Sequence, residues 1–547
     1  MSAPATAAIA LLCGLVFLFK PAQMFAANQP FFYFGFPQLA TLLVPMFLAS
    51  FGLLAWLASR GGSRWQHALA AALGGIALAA WVNATFFPSP GGALDGRSLL
   101  IPLDEKREVL NALLCAAIAL GGSAFAWWRP VLARRFLGAL FAVLAAQTVW
   151  IGATDEHPWR AQGATHRLAQ LSAEKNVLVI LLDAFQSDFF GETLQREPAL
   201  AQAFDGFTYF PNAVGPAPTT YLAMIAIHSG VPYREGARLQ ETYRRSVVER
   251  SFMARLAAAG YDGMLVNPTL NRCPDGIACD HEAVLVHGRA RSLAEAAVFL
   301  VDLAVFRIVP DAMKPAVYAE GSWMATRLLG ERRGAFWFDA VTSNSVLELF
   351  AQSMRIESPR PVARFLHLFS THSPASLDAE CRQVRDLPWI RQTAIAQSRC
   401  ALGKLTVLLR RLQALGIYDQ TAIVVLADHG AGLRKDGGAW VWGAYASPLL
   451  LVKPYGERGE LAHSTRVVGL TDVPASLCAW TRDCRMESGS DVMGAPAEPP
   501  RYPFFAYFWR HEYWLADAVP IFERYEVNGP PRDFASWRQL SNGGPRP

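Results

Sequence analysis

Charged side chains are scarce in this sequence: Asp, Glu, Lys and Arg make up 17% of its 547 residues, and hydrophobic residues make up 52%. Soluble domains are about a quarter charged, so the chain is too apolar to be wholly soluble and too charged to consist of membrane helices alone. It also lacks a basic tract or a stripe of Lys and Arg, and its net charge is only +5. These absences exclude a disordered scaffold and argue against nucleic acid as a partner.

The apolar residues concentrate in the first 153 positions. Five runs approach the ~20 residues that a helix needs to cross about 30 Å of hydrocarbon, and they cover 5–25, 39–58, 68–87, 109–128 and 136–153. The first run contains Lys20, which we expect to snorkel toward an interface, and it lacks the basic start of a signal peptide. The pattern predicts an integral membrane protein with a five-span transmembrane domain over 1–153. An amphipathic linker over 154–175 and a globular domain over 176–547 follow it.

The loops between the spans predict the orientation. The loops at 59–67 and 129–135 contain arginines and no acid, which is typical of cytoplasmic loops. The fifth span then leaves residues 154–547 outside the cytoplasm.

Cysteine usage agrees with that orientation. Outside the spans, six cysteines fall into three local pairs, Cys273/Cys279, Cys381/Cys400 and Cys478/Cys484. None has the Cys-x-x-Cys spacing of a zinc knot, and the alternatives are unpaired buried thiols or a metal site. We expect three disulfides in an oxidising compartment.

Three short apolar runs in the globular region end in polar residues that could bind metal or move protons. They are NVLVILLDA at 176–184, RFLHLFSTHSP at 364–374 and TAIVVLADHG at 421–430. Such continuous β-branched runs are typical of strands buried in a parallel sheet, and a helical stretch at 392–415 lies between two of them, which predicts an α/β domain. Ligands of such sheets collect at the carboxyl ends of the strands, where Asp183, His372 and the pair Asp428 and His429 would lie.

A fourth segment, GPAPTTYLAMIAIHSG at 215–230, carries two threonines at the start of an apolar, helix-like run. Thr219 is explained equally well as an N-cap residue. A hydroxyl at a helix N-terminus also lies where an alkoxide and a phosphate are both stabilised.

Together the four segments resemble the alkaline phosphatase/sulfatase superfamily, and in particular its membrane-anchored branch of lipoteichoic acid synthases and lipid A phosphoethanolamine transferases. The resemblance covers nearly the whole chain. It implies a five-helix transmembrane bundle and an extracytoplasmic α/β alkaline-phosphatase-like catalytic domain over 176–547. The aromatic stretch at about 500–547 is expected to form a small C-terminal antiparallel sheet.

The resemblance also implies roles for particular residues. Asp183, Asp428, His429 and the Thr220 hydroxyl would hold one divalent metal, zinc or manganese. In this family the nucleophile lies about nine residues before the Ser or Thr that closes the following helix, and counting back from Ser229 gives Thr220, with Thr219 as the alternative. His372 would act as general acid and base, and His367 would assist at the substrate or serve as a core residue.

Two departures from the family pattern matter. The phosphoethanolamine transferases carry a further histidine about a dozen residues after the Asp-His pair, and residues 434–445 contain none. Lys435 could supply charge to a substrate there, with His463 as a more distant possibility, although both could equally be solvated surface residues. The segment around Thr220 also lacks the cysteines that flank the transferase nucleophile. It lacks the x-Pro-x-Arg sequence that sulfatases need as well, because Tyr-Leu-Ala-Met follows Thr220.

The implied function is a metal-dependent phosphotransferase of the bacterial inner membrane with its catalytic domain in the periplasm. It would move a phospholipid headgroup, phosphoglycerol or phosphoethanolamine, through a phospho-threonine onto a glycan or lipid acceptor of the cell envelope. Two alternatives remain open. One is a phosphodiester hydrolase with water as acceptor, and the other is an inactive lipid-binding regulator.

Overall fold

The computed structural model describes residues 3–87, 105–155, 165–329, 340–384, 387–434, 441–495, 501–520 and 523–542. The chain divides into two compact units. The first, the membrane unit, comprises Met1–Arg160 and Arg289–Trp337, and the second, the catalytic unit, comprises Ala161–Gly288 and Phe338–Pro547.

The membrane unit contains five helices that are long and apolar enough to cross a bilayer, which confirms the predicted number of spans. They are Pro4–Ala27, Phe36–Ser59, Ser63–Phe86, Glu105–Trp128 and Pro130–Ala153. The first is built from Ala3–Gly14, a π-helical turn over Leu15–Phe19 and Lys20–Ala27. A helix satisfies most of its backbone hydrogen bonds within itself, which is the condition for lying in hydrocarbon.

A further helix, Arg289–Ile308, also belongs to the membrane unit, together with the short helix Lys314–Tyr318. It packs against the first three spans. Asn83 of the third span donates to the Val309 carbonyl at 2.8 Å, where the helix has just ended, and so satisfies a carbonyl that has no partner within the helix. The sequence pattern predicts residues 289–337 to belong to the globular domain, and the predicted domain boundaries stay a prediction.

The catalytic unit contains the strands of the protein, numbered β1 to β15 in chain order. They are Gln170–Ser172, Asn176–Leu182, Thr208–Tyr209, Ala213–Val214, Asp262–Val266, Ala278–Asp280, Arg355–Ser358, Val362–Leu368, Thr421–Leu426, Leu450–Lys453, Ala462–His463, Val468–Gly469, Tyr502–Ala506, Glu523–Val527 and Trp537–Asn542.

An eight-stranded sheet with the order β11-β3-β10-β9-β2-β8-β5-β6 forms the centre of this unit. The three strands predicted from the sequence, β2, β8 and β9, are neighbours, and β2 pairs in parallel with both of the others. Every residue of these three strands is buried, as expected for a sheet covered on both faces.

The other helices of the catalytic unit are Thr165–Ala169, Ser187–Arg196, Thr220–Ser229, Leu239–Tyr243, Phe252–Ala258, Glu282–His287, Ala340–Ser353, Arg391–Ala414, Val441–Tyr445, Val473–Thr481 and His511–Leu515. β13, β14 and β15 form the predicted C-terminal antiparallel sheet. The α/β architecture is therefore confirmed.

The predicted linker is only partly described. Residues 156–164 lie outside the described part of the chain, and β1, which follows, pairs with β7 inside the catalytic unit. The three predicted disulfides are all formed, Cys273–Cys279, Cys381–Cys400 and Cys478–Cys484.

Candidate active site

The carboxyl ends of β2 and β9 bring two aspartates together. Asp183 follows Leu182, the last residue of β2, and Asp428 comes two residues after the end of β9. The two strands are adjacent and parallel, so both carboxylates emerge at one edge of the sheet. The Ala184 amide donates to Asp428 Oδ1 at 3.2 Å, which links the two strand ends directly.

Asp183, Asp428 and His429 form a buried group whose ligand atoms lie within 4.8 Å of one another. Asp183 Oδ1 and Asp428 Oδ2 are both buried, and neither has a hydrogen-bond partner among the described residues. Unpartnered buried carboxylate oxygens are costly, and a cation bound between them would satisfy both. The donor set therefore fits a divalent metal.

The His429 ring is oriented so that one of its nitrogens could bind the same metal. Its Nδ1 lies 2.9 Å from the Gly430 carbonyl, which can only accept, so Nδ1 carries the proton. The Nε2 lone pair then faces the carboxylates, 3.5 Å from Asp428 Oδ2 and 3.7 Å from Asp183 Oδ1. A backbone carbonyl that fixes the tautomer in this way is the usual support of a metal-binding histidine.

Asp183 is completely buried, and its surroundings keep it ionised. Burial raises the pKa of this carboxyl, but His372, the hydrogen bond from His367, and His429 outweigh that effect and hold the pKa well below its usual range. An ionised carboxylate is the form that binds a metal.

Thr220 is the first residue of the helix Thr220–Ser229 and points at the same carboxylate. Its Oγ1 donates to Asp183 Oδ2 at 3.1 Å. Thr219, the N-cap residue, makes no capping hydrogen bond, and its hydroxyl donates to the Tyr507 hydroxyl at 2.5 Å. The geometry therefore favours Thr220 over Thr219 as the nucleophile.

Aromatic side chains hold the start of this helix. The Tyr243 hydroxyl donates to the Tyr221 carbonyl at 2.5 Å, and the Tyr221 ring stacks on Trp509 with centroids 3.9 Å apart. Both contacts fix the residue next to Thr220, so the hydroxyl of Thr220 is presented from a rigid support.

His372 lies in the loop after β8. Its Nδ1 donates to the Ser373 carbonyl at 2.6 Å, which leaves Nε2 facing the site, 3.9 Å from Asp183 Oδ1. The side chain is 20% exposed, more than the buried residues of the metal group. His372 is therefore accessible to a substrate.

His367 is buried at the end of β8 and has another role. It is 2% exposed, and its Nε2 donates to Asp183 Oδ2 at 3.0 Å. Nδ1 lies 3.3 Å from the Asn267 carbonyl. This arrangement favours the positioning of the Asp183 carboxylate. The predicted contact of His367 with a substrate stays a prediction.

Two predicted candidates remain, Lys435 and His463. Lys435 lies outside the described residues. His463 lies on β11, a strand at the edge of the sheet, with its ring 5.5 Å from that of Tyr209.

Sequence reasoning did not identify Gln397 or Tyr507. Gln397, on the helix Arg391–Ala414, is fully buried and holds the His372 loop: its Nε2 donates to the His372 carbonyl at 2.9 Å, and its Oε1 accepts from the Ser376 amide at 2.8 Å. A glutamine inside a helix gives no sequence signal for such a role. Tyr507 belongs to the aromatic C-terminal stretch, in which the sequence pattern does not distinguish it from the other aromatic residues.

Substitution of Gln397 by Leu is expected to loosen the His372 loop. Buried backbone groups of the loop lose their partners, which lowers the stability by about 2 kcal/mol, and kcat should fall more than KM changes because His372 is displaced. Thermal unfolding and steady-state kinetics measure the two effects. Gln413→Leu on the exposed face of the same helix is the matched control, and equal effects of both substitutions would contradict the assigned role.

Comparisons with solved structures found several that are similar to this chain. The chain is similar to a superfamily protein from Vibrio parahaemolyticus, with 13% identity, a TM-score of 0.42, and coverage of 68% of this chain and 83% of that one. A phosphonate monoester hydrolase from Silicibacter pomeroyi shows 14% identity, a TM-score of 0.37, and coverage of 61% and 80%. The lipoteichoic acid synthase LtaP from Listeria monocytogenes shows 12% identity, a TM-score of 0.38, and coverage of 68% and 85%.

The first of these proteins belongs to the alkaline phosphatase superfamily, and the other two are enzymes. No protein-family model and no curated protein matches the chain. Since the TM-scores lie below 0.5, the chemistry proposed below rests on the geometry of the chain's own residues.

Proposed function

We propose that this protein is a metal-dependent phosphotransferase that moves the headgroup of a membrane phospholipid onto a glycan or lipid of the cell envelope. The observation that supports it is the position of the Thr220 hydroxyl, 3.1 Å from a carboxylate of the Asp183, Asp428 and His429 group. These three residues and Thr220 would hold one divalent cation, zinc or manganese, since both accept mixed carboxylate and imidazole ligands.

A bound divalent cation would lower the pKa of the threonine hydroxyl and offset the negative charge of the phosphoryl oxygens. Thr220 Oγ loses its proton to solvent and attacks the phosphorus of the donor lipid, and the bond from phosphorus to the diacylglycerol oxygen breaks. His372 donates its Nε2 proton to that oxygen. The headgroup phosphate is then esterified to Thr220 at the N-terminus of a helix, where a phosphate is stabilised.

The second half of the reaction reverses these roles. The acceptor hydroxyl gives its proton to His372 Nε2 and attacks the phosphorus, and the bond to Thr220 breaks. His367 keeps Asp183 oriented through both steps. The five spans would keep this chemistry at the bacterial inner membrane, with the catalytic unit on the periplasmic side, where the local concentration of lipid headgroups is high.

The experiment is an assay of the purified full-length protein with headgroup-labelled phosphatidylglycerol or phosphatidylethanolamine and a cell-envelope glycolipid fraction, with and without a chelator. We expect diacylglycerol release together with label in the acceptor, and loss of both with the chelator. Release with free labelled headgroup in place of labelled acceptor would identify a hydrolase. Absence of any release under metal-replete conditions would overturn the enzymatic proposal in favour of a lipid-binding regulator.

A further inference from the structure

The membrane unit contains a buried lysine whose charge is not neutralised by the chain. Lys20, in the first span, is 5% exposed. Its Nζ donates to Gln23 Oε1 at 2.9 Å and to Thr85 Oγ1 at 3.2 Å, and both of these partners are neutral. No carboxylate of the described residues pairs with Lys20. Gln23 and Thr85 hold the side chain between the helices, and its predicted reach toward an interface stays a prediction.

A second cation lies beside the first. Arg307 belongs to the helix Arg289–Ile308, which packs on the first span. Asn83, two residues before Thr85, donates to the carbonyls of Ile308 and Val309. Arg307 therefore lies close to the site that binds Lys20, and it repels the Lys20 ammonium. Within the described part of the chain, no group accepts a hydrogen bond from Arg307 and no carboxylate forms an ion pair with it.

The neighbouring carboxylate, that of Asp311, already pairs with other cations. Asp311, 1% exposed, accepts from Lys314 Nζ at 2.7 Å, and Arg107 Nε lies 3.8 Å from its other oxygen. Lys314 is in turn repelled by Arg307. Asp311 is thus shared by Lys314 and Arg107.

Two adjacent cations without a counter-ion are unfavourable in a low-dielectric environment, where an unpaired buried ion is destabilising by several kcal/mol. An anion bound by both would replace repulsion by attraction and supply charge-assisted hydrogen bonds. The arrangement is therefore that of an anion site.

The position in the membrane indicates which anion. Lys20 lies seven residues before Ala27, the end of its helix, and hence about 10 Å inside that end. Thr85 lies next to the end of the third span, Ser63–Phe86. This is the end opposite the two arginine-containing loops, so it faces the outer leaflet. Although Lys20 is set back from the end of its own helix, its Nζ reaches Thr85, one residue before the end of the third span, and the abundant anion at the ends of the spans is the phosphate of a phospholipid.

We propose that Lys20 and Arg307 bind the phosphate of an anionic phospholipid of the outer leaflet. A zwitterionic lipid would bring an ammonium group toward a cluster that is already cationic, whereas a lipid such as phosphatidylglycerol brings net negative charge. The site lies within the membrane unit and is independent of the transfer reaction proposed for the catalytic unit.

The test is native mass spectrometry of the full-length protein released from nanodiscs of phosphatidylcholine mixed with phosphatidylglycerol or with phosphatidylethanolamine. We expect the wild type to retain phosphatidylglycerol selectively. Lys20→Gln and Arg307→Gln should each bind it at least about fivefold more weakly, as expected for the loss of one cation, while Lys20→Arg and Arg307→Lys retain most of the binding. Arg60→Gln and Arg64→Gln, at the other end of the bundle, are the matched controls.

Two results would overturn the proposal. One is equal retention of phosphatidylglycerol by wild type and both charge-removing variants, and the other is retention of phosphatidylethanolamine by wild type as strong as that of phosphatidylglycerol. Inorganic phosphate added to phosphatidylcholine nanodiscs should leave the melting temperature unchanged, and a rise that Arg307→Gln abolishes would identify a site for a free anion instead. If Lys20→Gln does not fold, Arg307→Gln decides the outcome, because its side chain is partly exposed. Thr220→Ala should retain the lipid, so failure of the proposed reaction and failure of this site are distinguishable.

Discussion

Substitution of Thr220 by Ala should abolish turnover, with kcat falling by at least about 10³-fold, since loss of a nucleophile removes the covalent route altogether. The hydroxyl lies 3.1 Å from Asp183 Oδ2, and no other described hydroxyl donates to that carboxylate side chain. The measurement is diacylglycerol release from labelled phospholipid. Intact-protein mass spectrometry after rapid quenching should show a headgroup phosphate adduct on wild type and none on the variant.

Two controls separate the nucleophile from its neighbour. Thr220→Ser keeps a hydroxyl at the same place and should retain measurable turnover and the adduct. Thr219→Val removes the hydrogen bond to Tyr507 and should lower the rate modestly, by loosening the start of the helix. If the adduct is lost in Thr219→Val and survives in Thr220→Ala, Thr219 is the nucleophile and the assignment of Thr220 is wrong.

The sheet and the group of Asp183, Asp428 and His429 were predictable because each strand has its own local sequence pattern, and the patterns together place the strand ends at one edge. Each buried strand shows as a continuous apolar run, and parallel strands place their carboxyl ends at one edge. Asp183, Asp428 and His429 could therefore be predicted to lie together from the sequence alone. His372 could be predicted to lie close to them. The cysteine pairs were equally accessible, because each pair is close in sequence.

Other features depend on contacts that the sequence does not display. Tyr507, a residue far along the chain, accepts a hydrogen bond from the Thr219 hydroxyl, and this contact favours Thr220 as the proposed nucleophile. The helix Arg289–Ile308 resembles a helix of the globular domain in composition, and only its packing on the spans assigns it to the membrane unit. The environment of Lys20 likewise requires the position of Arg307, which lies hundreds of residues away.

Substitution of Asp428 by Asn should remove metal binding and, with it, activity. Asp428 Oδ2 is buried without a hydrogen-bond partner among the described residues, and the amide that replaces it has one fewer anionic ligand atom to offer a cation. Metal content after dialysis against zinc or manganese, measured by elemental analysis, should fall from about one ion per chain to a background level. The exposed Asp275→Asn is the matched control and should keep the ion.

Asp428→Asn should also differ from wild type and from Asp275→Asn in how an added metal changes the melting temperature. A ligand that binds only the folded state at a concentration 100 times its Kd stabilises it by about 2.7 kcal/mol, so added metal should raise the melting temperature of the chelated wild type and of Asp275→Asn. The chelated Asp428→Asn protein should melt no lower than chelated wild type, because Asp183 no longer faces a second buried carboxylate, and added metal should leave it unchanged. A metal-induced rise in Asp428→Asn equal to that of wild type would show that the cation is held elsewhere, and the assignment of Asp183, Asp428 and His429 would then be wrong.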